Sequence, residues 1–549
     1  MKKIIKINQY ALLTFGFFGF LFWHFAVQML TIRADGWYVG QVNLYGDLVF
    51  HLGFINKFLE TGKVLVSSPI YAGAKPNYPI FADWLTAQIA RITGIDFALF
   101  LITFIVGIVT IYIAKKFILN FIKSEKIVFL SLLLFFFNGG FGFIYFFQDM
   151  ANSQKPLFDF LISLPREYTD LKSLGYWWIN SYLAYFLPQR AFLFAFPITL
   201  TILSLLYIGQ KKSKTLFFIL AGCLSGVLPI VQAHSLLLIF IVSAFYFPVS
   251  VYLSKNKNQT LKNWLFFAAL TTIISLPILS SISSQNNLLG NIKFAPGWTS
   301  QENIIWFWFK NLGLFGPILI VSLIWLYLKK RILFLLYLPF LIVFILCNIF
   351  TFQPWNFDNS KLLIYWYFVS TISVAYFLYD KFLTEGIYQK IAGVAIIFIL
   401  TFSALLDIFR TFTPSTFYKI FSNEDLQVAE SVKKLTKKDA VFITAPIHNH
   451  PISALSGRST VIGFYGWVWS HDLAYNQRAY DVGQIYEGSK HADQLVSQYQ
   501  INYVTVGPPE REQFSINESY LSKFPRIALG GAWQIYDVSS VWTNSNGQN

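Results

Sequence analysis

Charged residues are scarce in this chain of 549 residues. Only 13% are Asp, Glu, Lys or Arg, whereas a soluble globular protein carries about 25%. Hydrophobic residues make up 55% and aromatic residues 19% of the sequence, and the mean hydropathy is +0.52. The apolar residues are concentrated in repeated stretches of the length that spans a bilayer as a helix, roughly 20 residues. The composition excludes an ordinary soluble protein and predicts a polytopic membrane protein.

The sequence also contains few cysteines and no recognisable repeats. The two cysteines, Cys223 and Cys347, both lie within or beside apolar runs, so the sequence contains no disulfide framework. The chain shows no internal repeat and no low-complexity segment. The organisation of the protein must therefore be inferred from the order of its apolar and polar segments.

Eleven apolar spans are predicted to cross the membrane as helices. They are Tyr10–Leu30, Asp96–Phe117, Ile127–Phe147, Ala191–Ile208, Thr215–Val231, Ser235–Leu253, Trp264–Ile282, Leu312–Leu328, Ile332–Phe350, Leu362–Leu378 and Ile391–Phe409. The first span has the Lys-rich start of a signal peptide, but it is long and no small-residue cleavage site follows it. We interpret it as a retained anchor.

The net charge of +15 is explained by basic residues in every second connection between spans. The basic clusters are Lys2, Lys3 and Lys6; Lys115, Lys116, Lys123 and Lys126; Lys211, Lys212 and Lys214; Lys255, Lys257 and Lys262; Lys329, Lys330 and Arg331; and Lys381 and Lys390. Cytoplasmic loops of membrane proteins carry such an excess of positive charge. We therefore expect no nucleic-acid partner, and we predict a multi-pass protein of the plasma (inner) membrane with a cytoplasmic N-terminus and an extracytoplasmic C-terminal region.

The long connections fall on the outer side of this topology, at residues 31–94, 148–190, 283–311 and 353–361. Loops held by a rigid scaffold often carry binding and catalytic residues, so the working surface is predicted to be extracytoplasmic. Residues 1–412 are predicted to form a transmembrane domain, and residues 422–549 a soluble α/β domain. In the latter, "NEDLQVAESVKKLTKK" and "SKHADQLVSQYQ" predict helices, and "DAVFITAP", "STVIGF", "INYVTVGP" and "AWQIYDV" predict strands.

The first outer loop contains "YGDLVFHLGFINKFLETG", in which Asp47 and His51 are four residues apart. Residues at this spacing share one face of a helix. The apolar residues Leu48, Phe50, Leu52, Phe54, Ile55, Phe58 and Leu59 are predicted to lie in the membrane interface. In one interpretation Asp47 only caps an interfacial helix. In the other, its carboxylate accepts a proton from a hydroxyl as a general base, or positions a cation.

A short N-terminal tail, one membrane helix and an outer loop with an acidic residue in an amphipathic helix resemble the GT-C superfamily of membrane glycosyltransferases. The segment "PNYPIFADWLTAQIARITG", residues 76–94, is similar to the one that leads into their next helix, and an outer C-terminal α/β domain fits bacterial members. The resemblance implies an enzyme that moves a sugar from a polyprenyl-phosphate carrier to an extracytoplasmic glycan, lipid or protein acceptor. It makes Asp47 the catalytic base, with inversion as the expected stereochemical outcome.

Two details depart from the family pattern. His51 has no invariant counterpart, although it stands beside the base and is kept as a catalytic candidate. The second acidic residue that many members place next to the first is missing, because Gly46 and Leu48 flank Asp47. The sequence therefore does not require a divalent metal as cofactor, and it leaves open whether one is used.

A lipid-phosphate donor needs cationic or hydrogen-bonding groups near the outer membrane face. Arg190, His234 and Lys361 each lie at an outer end of a predicted span and are the candidates for binding this phosphate. For the two basic residues the alternative is that the side chain only reaches the membrane interface. For His234 the alternative is a hydrogen bond between helices.

Two segments are candidates for binding the sugar or the acceptor. "PWNFDNSK" offers Trp355, Asn356 and Asp358, unless it is only a tight turn with an interfacial tryptophan. "APIHNHPISALSGRSTVIGFYGWVWSHD" offers His448, His450 and Trp467.

The same histidine-rich segment, which also contains His471 and Asp472, allows a metal site as an alternative. It contains no cysteine and no HExxH spacing, so no metal ligands are assigned.

Two other kinds of function remain open. A transporter or flippase of a lipid-linked glycan would also place polar groups within its membrane helices, but it should show broken helices in pairs or inverted repeats. A non-catalytic receptor would use the outer domain to bind a ligand and would leave Asp47 outside any cleft.

Overall fold

The computed structural model describes residues 8–282 and 292–543. Lys2, Lys3 and Lys6, residues 283–291 of the predicted outer loop 283–311, and residues 544–549 of the predicted C-terminal domain lie outside the described residues. The chain forms two compact units. Within the described part, the first unit comprises residues 8–26, 102–281 and 292–417, and the second comprises residues 27–101, 282 and 418–543.

Helices make up most of the chain. In order, they are α1 Gln9–Val27, α2 Val42–Thr61, α3 Phe81–Thr93, α4 Ile95–Phe121, α5 Glu125–Phe136, α6 Phe143–Asn152, α7 Leu157–Leu161, α8 Arg190–Lys212, α9 Thr215–Val231, α10 Ala233–Leu253, α11 Lys257–Ile282, α12 Ile304–Leu312, α13 Phe315–Lys329, α14 Arg331–Cys347, α15 Ser360–Leu378, α16 Ile387–Arg410, α17 Asn423–Leu435, α18 Pro451–Leu455, α19 Tyr465–Ser470, α20 Asn476–Tyr486, α21 Ala492–Gln498, α22 Pro508–Gln513, α23 Glu518–Leu521 and α24 Ser540–Thr543.

The strands are short. In order, they are β1 Thr31–Arg33, β2 Gly36–Val39, β3 Lys293–Phe294, β4 Phe350–Thr351, β5 Tyr418–Ser422, β6 Val441–Ile443, β7 Ser459–Thr460, β8 Tyr503–Val506, β9 Arg526–Gly530 and β10 Trp533–Asp537.

The helices of the first unit include most of the predicted membrane spans. Among the described helices, α1, α4, α8, α10, α11, α15 (with its flanking turns) and α16 are long and apolar enough to cross a membrane. The pair α12 and α13 meets the same criteria together but is bent by 94°, and α9 and α14 are shorter apolar helices. The chain is a multi-pass, mainly helical membrane protein, as predicted. The predicted number of eleven spans is not confirmed.

The predicted span Ile127–Phe147 is wrong as a continuous helix. Helix α5 ends at Phe136, and the chain turns before α6 begins at Phe143. Asn138 holds this turn, because its amide donates to the carbonyl of Ile179 at 2.9 Å and its own carbonyl accepts the N–H of Ser181 at 2.6 Å. A continuous apolar run does not reveal such a break, since the turn is stabilised by contacts made far away in the sequence.

The second unit contains a five-stranded mixed sheet with the strand order β7-β6-β8-β10-β9. Strand β6 runs parallel to both β7 and β8, whereas β10 is antiparallel to β8 and β9. The predicted helices appear as α17 and α21, and the four predicted strands as β6, β7, β8 and β10. Ser422 begins α17 with a capping box in which its side chain and that of Asp425 bond reciprocally to backbone N–H groups. The α/β character predicted for the C-terminal region is confirmed.

The first long loop of the chain belongs to the same unit and extends this sheet. The N–H of Thr460 donates to the carbonyl of Pro69 at 2.9 Å, and the N–H of Ala72 donates back to the carbonyl of Thr460 at 2.8 Å. A third bond joins the N–H of Gly463 to the carbonyl of Ile70 at 2.8 Å. Residues 69–72 thus cover the edge of the sheet beside β7, and β2 similarly pairs with both β1 and β5 in a second small sheet.

Helix α2 is enclosed by protein. Its amphipathic pattern predicts an apolar face in the membrane interface, but Leu48, Phe50, Leu52, Phe54, Ile55 and Phe58 are each at most 5% exposed. The side chain of Asn56 donates to the carbonyl of Ala454 in α18 at 3.1 Å, and Glu60 pairs with buried Arg458 at 2.8 Å. The interfacial placement of α2 is therefore wrong, because an apolar face packs against protein as readily as against lipid.

Candidate active site

Asp47 lies in the second turn of α2, and its side chain is half-buried. The helix is capped by Gln41, whose side chain accepts the N–H of Leu44 at 2.5 Å. The interpretation of Asp47 as the N-terminal cap is therefore wrong. Another explanation is needed for a carboxylate at this position.

His51, one turn after Asp47, is 3% exposed and pairs with a residue that sequence reasoning did not single out. Its Nδ1 lies 3.0 Å from both carboxylate oxygens of Asp83, which is fully buried in the first turn of α3. Further along the same two helices, the guanidinium of Arg91 donates to the carbonyl of Phe58 at 3.0 Å. In the sequence Asp83 looks like an acidic residue that merely suits a helix N-terminus, so only the fold reveals this pair.

Rings from three parts of the second unit surround the turn of α2 that carries Asp47. We call this group the ring cluster; it consists of Tyr45, Phe50, Tyr78, His448, Trp467 and His471.

Contacts within the ring cluster bring two predicted binding residues to the predicted base. The His448 ring stacks on that of Tyr45 at a centroid distance of 5.0 Å, and its Nε2 donates to the carbonyl of Gly46 at 2.9 Å. The Trp467 ring lies 4.8 Å from the His448 ring and 5.5 Å from that of Phe50. His448 and Trp467 are thus located beside the α2 turn of Asp47.

His450 lies in different surroundings from His448, the other histidine predicted to bind substrate. It is 1% exposed and caps α18, and its Nε2 donates to Glu510 at 2.8 Å. Glu510 also accepts the N–H groups of Ala445 and Gly507, each at 2.8 Å. His450 is thus buried away from the ring cluster and has a structural role, because it joins α18 to α22. Within residues 8–282 and 292–543, no group of three or more His, Cys, Asp or Glu side chains is arranged to hold a metal ion.

The residues predicted to bind the donor phosphate all belong to the first unit. Arg190 is the first residue of α8 and is 1% exposed, so its guanidinium is enclosed by protein. His234 is the second residue of α10, and its Nε2 is hydrogen-bonded to the side-chain oxygen of Gln353. The amide nitrogen of Gln353 in turn donates to Asn359 at 3.2 Å. These bonds connect His234 to the loop 353–361.

The same loop holds Lys361 and the predicted sugar-binding residues. Lys361 pairs with Asp358 at 2.9 Å, and both side chains remain partly exposed. Trp355 is 41% exposed with its ring 5.1 Å from that of Phe357, whereas the carbonyl of Asn356 accepts the indole N–H of Trp298 at 2.9 Å. The loop therefore offers one ammonium group, one carboxylate and one open indole face.

A buried polar cluster near the end of α16 was not predicted. The carboxylate of Asp407 accepts the backbone N–H groups of Tyr168 and Thr169, and Arg410 lies 3.7 Å from Glu167. Burial, reinforced by the carboxylates of Asp407 and Asp170, raises the pKa of Glu167. The cluster fixes the loop 148–190 to α16, and its residues are too far apart in the sequence to be recognised together.

Comparison with known proteins gives structural matches only. No protein-family model and no curated protein sequence matches the chain. Among solved structures, the chain is similar to ArnT from Cupriavidus metallidurans in two states. The ArnT structure with undecaprenyl phosphate bound has 9% sequence identity to this chain and a TM-score of 0.48, and the match covers 97% of this chain and 99% of that one. In the apo state, the identity is 9% and the TM-score 0.49, covering 97% and 98%.

The chain is also similar to the archaeal oligosaccharyltransferase AglB from Archaeoglobus fulgidus, in complex with an inhibitory peptide and a dolichol-phosphate. The identity is 10% and the TM-score 0.47, and the match covers 91% of this chain and 70% of that one. With identities near 10% and TM-scores below 0.5, these likenesses by themselves assign neither an activity nor a ligand to the chain.

Proposed function

We propose that the protein is a membrane glycosyltransferase of the GT-C type, which moves a sugar from a polyprenyl-phosphate carrier to an extracytoplasmic acceptor. The observation that carries the proposal is the position of Asp47. Its carboxylate lies half-buried on a protein-enclosed helix directly after the first membrane helix, next to the ring cluster. This is where the GT-C resemblance requires the catalytic base.

In the proposed reaction, a hydroxyl oxygen of the acceptor attacks the anomeric carbon of the carried sugar. The bond between that carbon and the phosphate oxygen breaks, and the phosphate leaves with the electron pair. The hydroxyl proton passes to the carboxylate of Asp47, which acts as general base. One displacement of this kind inverts the configuration at the anomeric carbon.

The leaving phosphate needs positive charge and hydrogen-bond donors as it departs. Arg190 and Lys361 supply the charge in this proposal, and His234 is positioned through Gln353 on the same loop as Lys361. Trp355, Asp358 and the side chain of Asn356 are assigned to binding the carried sugar. His448 and Trp467 are assigned to binding the acceptor. His51 acts through its pair with Asp83 and positions the helix rather than reacting itself.

In the proposed topology the protein lies in the plasma membrane, with its N-terminus in the cytoplasm and with residues 31–94 and 422–549 outside. The basic connections between the spans support this orientation. A transporter is less well supported, since the described helices include one bent pair, α12 and α13, instead of the two matching broken helices that transport folds show. A receptor without catalytic activity does not require a carboxylate beside the ring cluster.

The test is sugar transfer by the full-length protein in lipid nanodiscs, with a panel of undecaprenyl-phosphate hexoses as donors and release of undecaprenyl phosphate as the readout. Asp47→Asn is expected to lower the rate by roughly 10²–10⁴-fold, the range of a lost general base. Asp35→Asn is the matched control, because Asp35 is an exposed carboxylate of the same unit that pairs with Lys419 at 2.8 Å. Full activity of the Asp47 variant, or no release by the wild type with any donor, would contradict the proposal.

A further inference from the structure

The ring cluster offers a ligand several partly open rings in a fixed arrangement. Tyr45, Tyr78, His448, Trp467 and His471 are all half-buried, so each of these residues keeps part of its surface accessible. Phe50 is buried beneath them, with its ring parallel to that of His471 at 4.9 Å. A hydrophobic floor thus supports a surface of imidazole, phenol and indole rings.

Hydrogen bonds hold the rings in place before any ligand arrives. The Nδ1 of His471 donates to the carbonyl of Trp467 at 2.6 Å, and the side chain of Asn77, next to Tyr78, donates to the carbonyl of His471 at 2.6 Å. His448 is fixed by its bond to Gly46. A surface ordered in this way loses little conformational entropy when it binds.

The chemistry of these rings suits an uncharged, hydroxyl-rich ligand. A sugar ring has an apolar C–H face that packs on an aromatic ring, and hydroxyl groups at its edge that bond to N–H and O–H groups such as those of Trp, His and Tyr. A phosphate or sulfate group is recognised instead by Arg or Lys. The ring cluster contains neither of these residue types.

An extended peptide is disfavoured by the neighbouring sheet. Peptides often bind by adding a strand to an open sheet edge. The edge beside β7 is already occupied by residues 69–72, through the bonds that Thr460 makes with Pro69 and Ala72. The region instead presents the side-chain rings of the ring cluster.

We infer that the ring cluster binds an uncharged saccharide, so that the acceptor of the transfer reaction is a glycan. The inference rests on the proposed function and deepens it by naming the chemical class of the acceptor. Because the cluster contacts the turn of Asp47 through Gly46 and Tyr45, a sugar stacked on Trp467 or His448 would bring its hydroxyl groups next to the base.

The test measures binding of the full-length protein in nanodiscs to an array of neutral oligosaccharides built from glucose, galactose, mannose and N-acetylglucosamine, with a peptide array in parallel. The wild type is expected to bind a subset of the oligosaccharides. Trp467→Ala is expected to weaken this binding at least tenfold, and Trp467→Phe to restore part of it. Trp469→Ala is the matched control, because Trp469 is on the same short helix, is 44% exposed and lies outside the ring cluster.

Three results would overturn the inference: no oligosaccharide is bound, Trp467→Ala binds like the Trp469 control, or the peptide array alone is bound. Thermal unfolding of each variant shows whether it remains folded, and if Trp467→Ala unfolds, the Phe variant and His448→Ala serve in its place. The two proposals can fail separately. Oligosaccharide binding without any transfer activity in the wild type would contradict only the proposed function, whereas transfer that is insensitive to the ring cluster would contradict only the glycan acceptor.

Discussion

The Nδ1 of His51 lies 3.0 Å from both carboxylate oxygens of Asp83, and this pair joins the two helices that follow the first membrane helix. Both side chains are almost fully buried. Polar side chains buried this deeply are tolerated because each is hydrogen-bonded to the other. Since Asp47 precedes His51 by one helical turn, the pair also fixes the part of α2 that carries the proposed base.

Removing one member of this pair is expected to destabilise the protein strongly. Asp83→Ala leaves the imidazole without its acceptor, and losses of about 3–5 kcal/mol are typical when a buried pair is broken. The melting temperature of the purified protein reports the change. Asp35→Ala, which removes an exposed carboxylate from the same unit, is expected to melt close to the wild type. Equal melting temperatures for the two variants would show that the pair contributes little to stability.

Lys361 is expected to contribute to donor turnover, because its ammonium group is partly exposed and pairs with the carboxylate of Asp358. Lys361→Ala should lower kcat/KM for an undecaprenyl-phosphate sugar by roughly 10²-fold, as when one transition-state donor is lost. Lys361→Arg should retain part of the rate. Lys172→Ala is the control, since Lys172 pairs with the nearby Asp170 at 3.1 Å in the same way. An equal loss in the Lys172 variant would argue for a general effect of charge.

The stability of the protein is expected to depend on pH through Lys57. Its Nζ donates to Ser459 at 2.8 Å, and burial together with the charge of Arg458 lowers the pKa of Lys57 from 10.5 to about 8. Between pH 8 and pH 10.5 the unfolded chain binds more protons than the folded chain, so Lys57 makes the stability rise with pH. The free-energy cost of burying its charged ammonium group is fully present below pH 8. A shift of this size corresponds to about 3 kcal/mol.

Replacing Lys57 by Met removes this dependence. The variant is expected to gain stability relative to the wild type at pH 7 and to lose that advantage as the pH approaches 10, which thermal unfolding at both pH values in one detergent measures. Lys75→Met is the control, because Lys75 is an exposed lysine of the same unit. A difference between Lys57→Met and wild type that stays constant with pH would contradict the assignment.

Gly142→Ala is expected to disturb the loop that follows α5. A Cβ at Gly142 would lie 1.7 Å from the carbonyl oxygen of Tyr168, so the backbone of one segment would have to move. Overpacking commonly costs about 1–3 kcal/mol, and more when backbone must shift. Gly16→Ala is the control, because no heavy atom lies within 4 Å of its added Cβ. A melting temperature of Gly142→Ala equal to that of Gly16→Ala would show that the loop adjusts freely.

The membrane character and the α/β elements of the C-terminal region follow from the sequence because both depend on local patterns. Long apolar runs predict α4, α8 and α16, and alternating helices and strands predict α17 through β10. The break after α5 and the enclosure of α2 do not follow, since hydropathy does not distinguish a lipid neighbour from a protein neighbour. Identifying them requires the contacts of Asn138 with Ser181, and of α2 with α18.

In the candidate site, too, some residues can be predicted from local sequence patterns and others only from the fold. Asp47 and His51 can be singled out because they are one turn apart in an otherwise apolar segment. Asp83 is 32 residues further along the chain than His51, and Tyr78 and His471 are almost 400 residues apart. No local signal connects such residues, and the different positions of His448 and His450 depend on Glu510, which lies in another element.

The pairing of residues 69–72 with the edge beside β7 has a consequence for biosynthesis. Residues 27–101 and 418–543 form one compact unit, but the ribosome makes the first segment more than 300 residues before the second. At about 5–20 residues per second, the early segment waits roughly 15–65 seconds for its partner strands and for the neighbours of α2. During this time α2 can pack on α3 but lacks its contacts with α18 and with the rings of His448, Trp467 and His471. A chain that stops before residue 418 would leave α2 and residues 69–72 permanently without these partners.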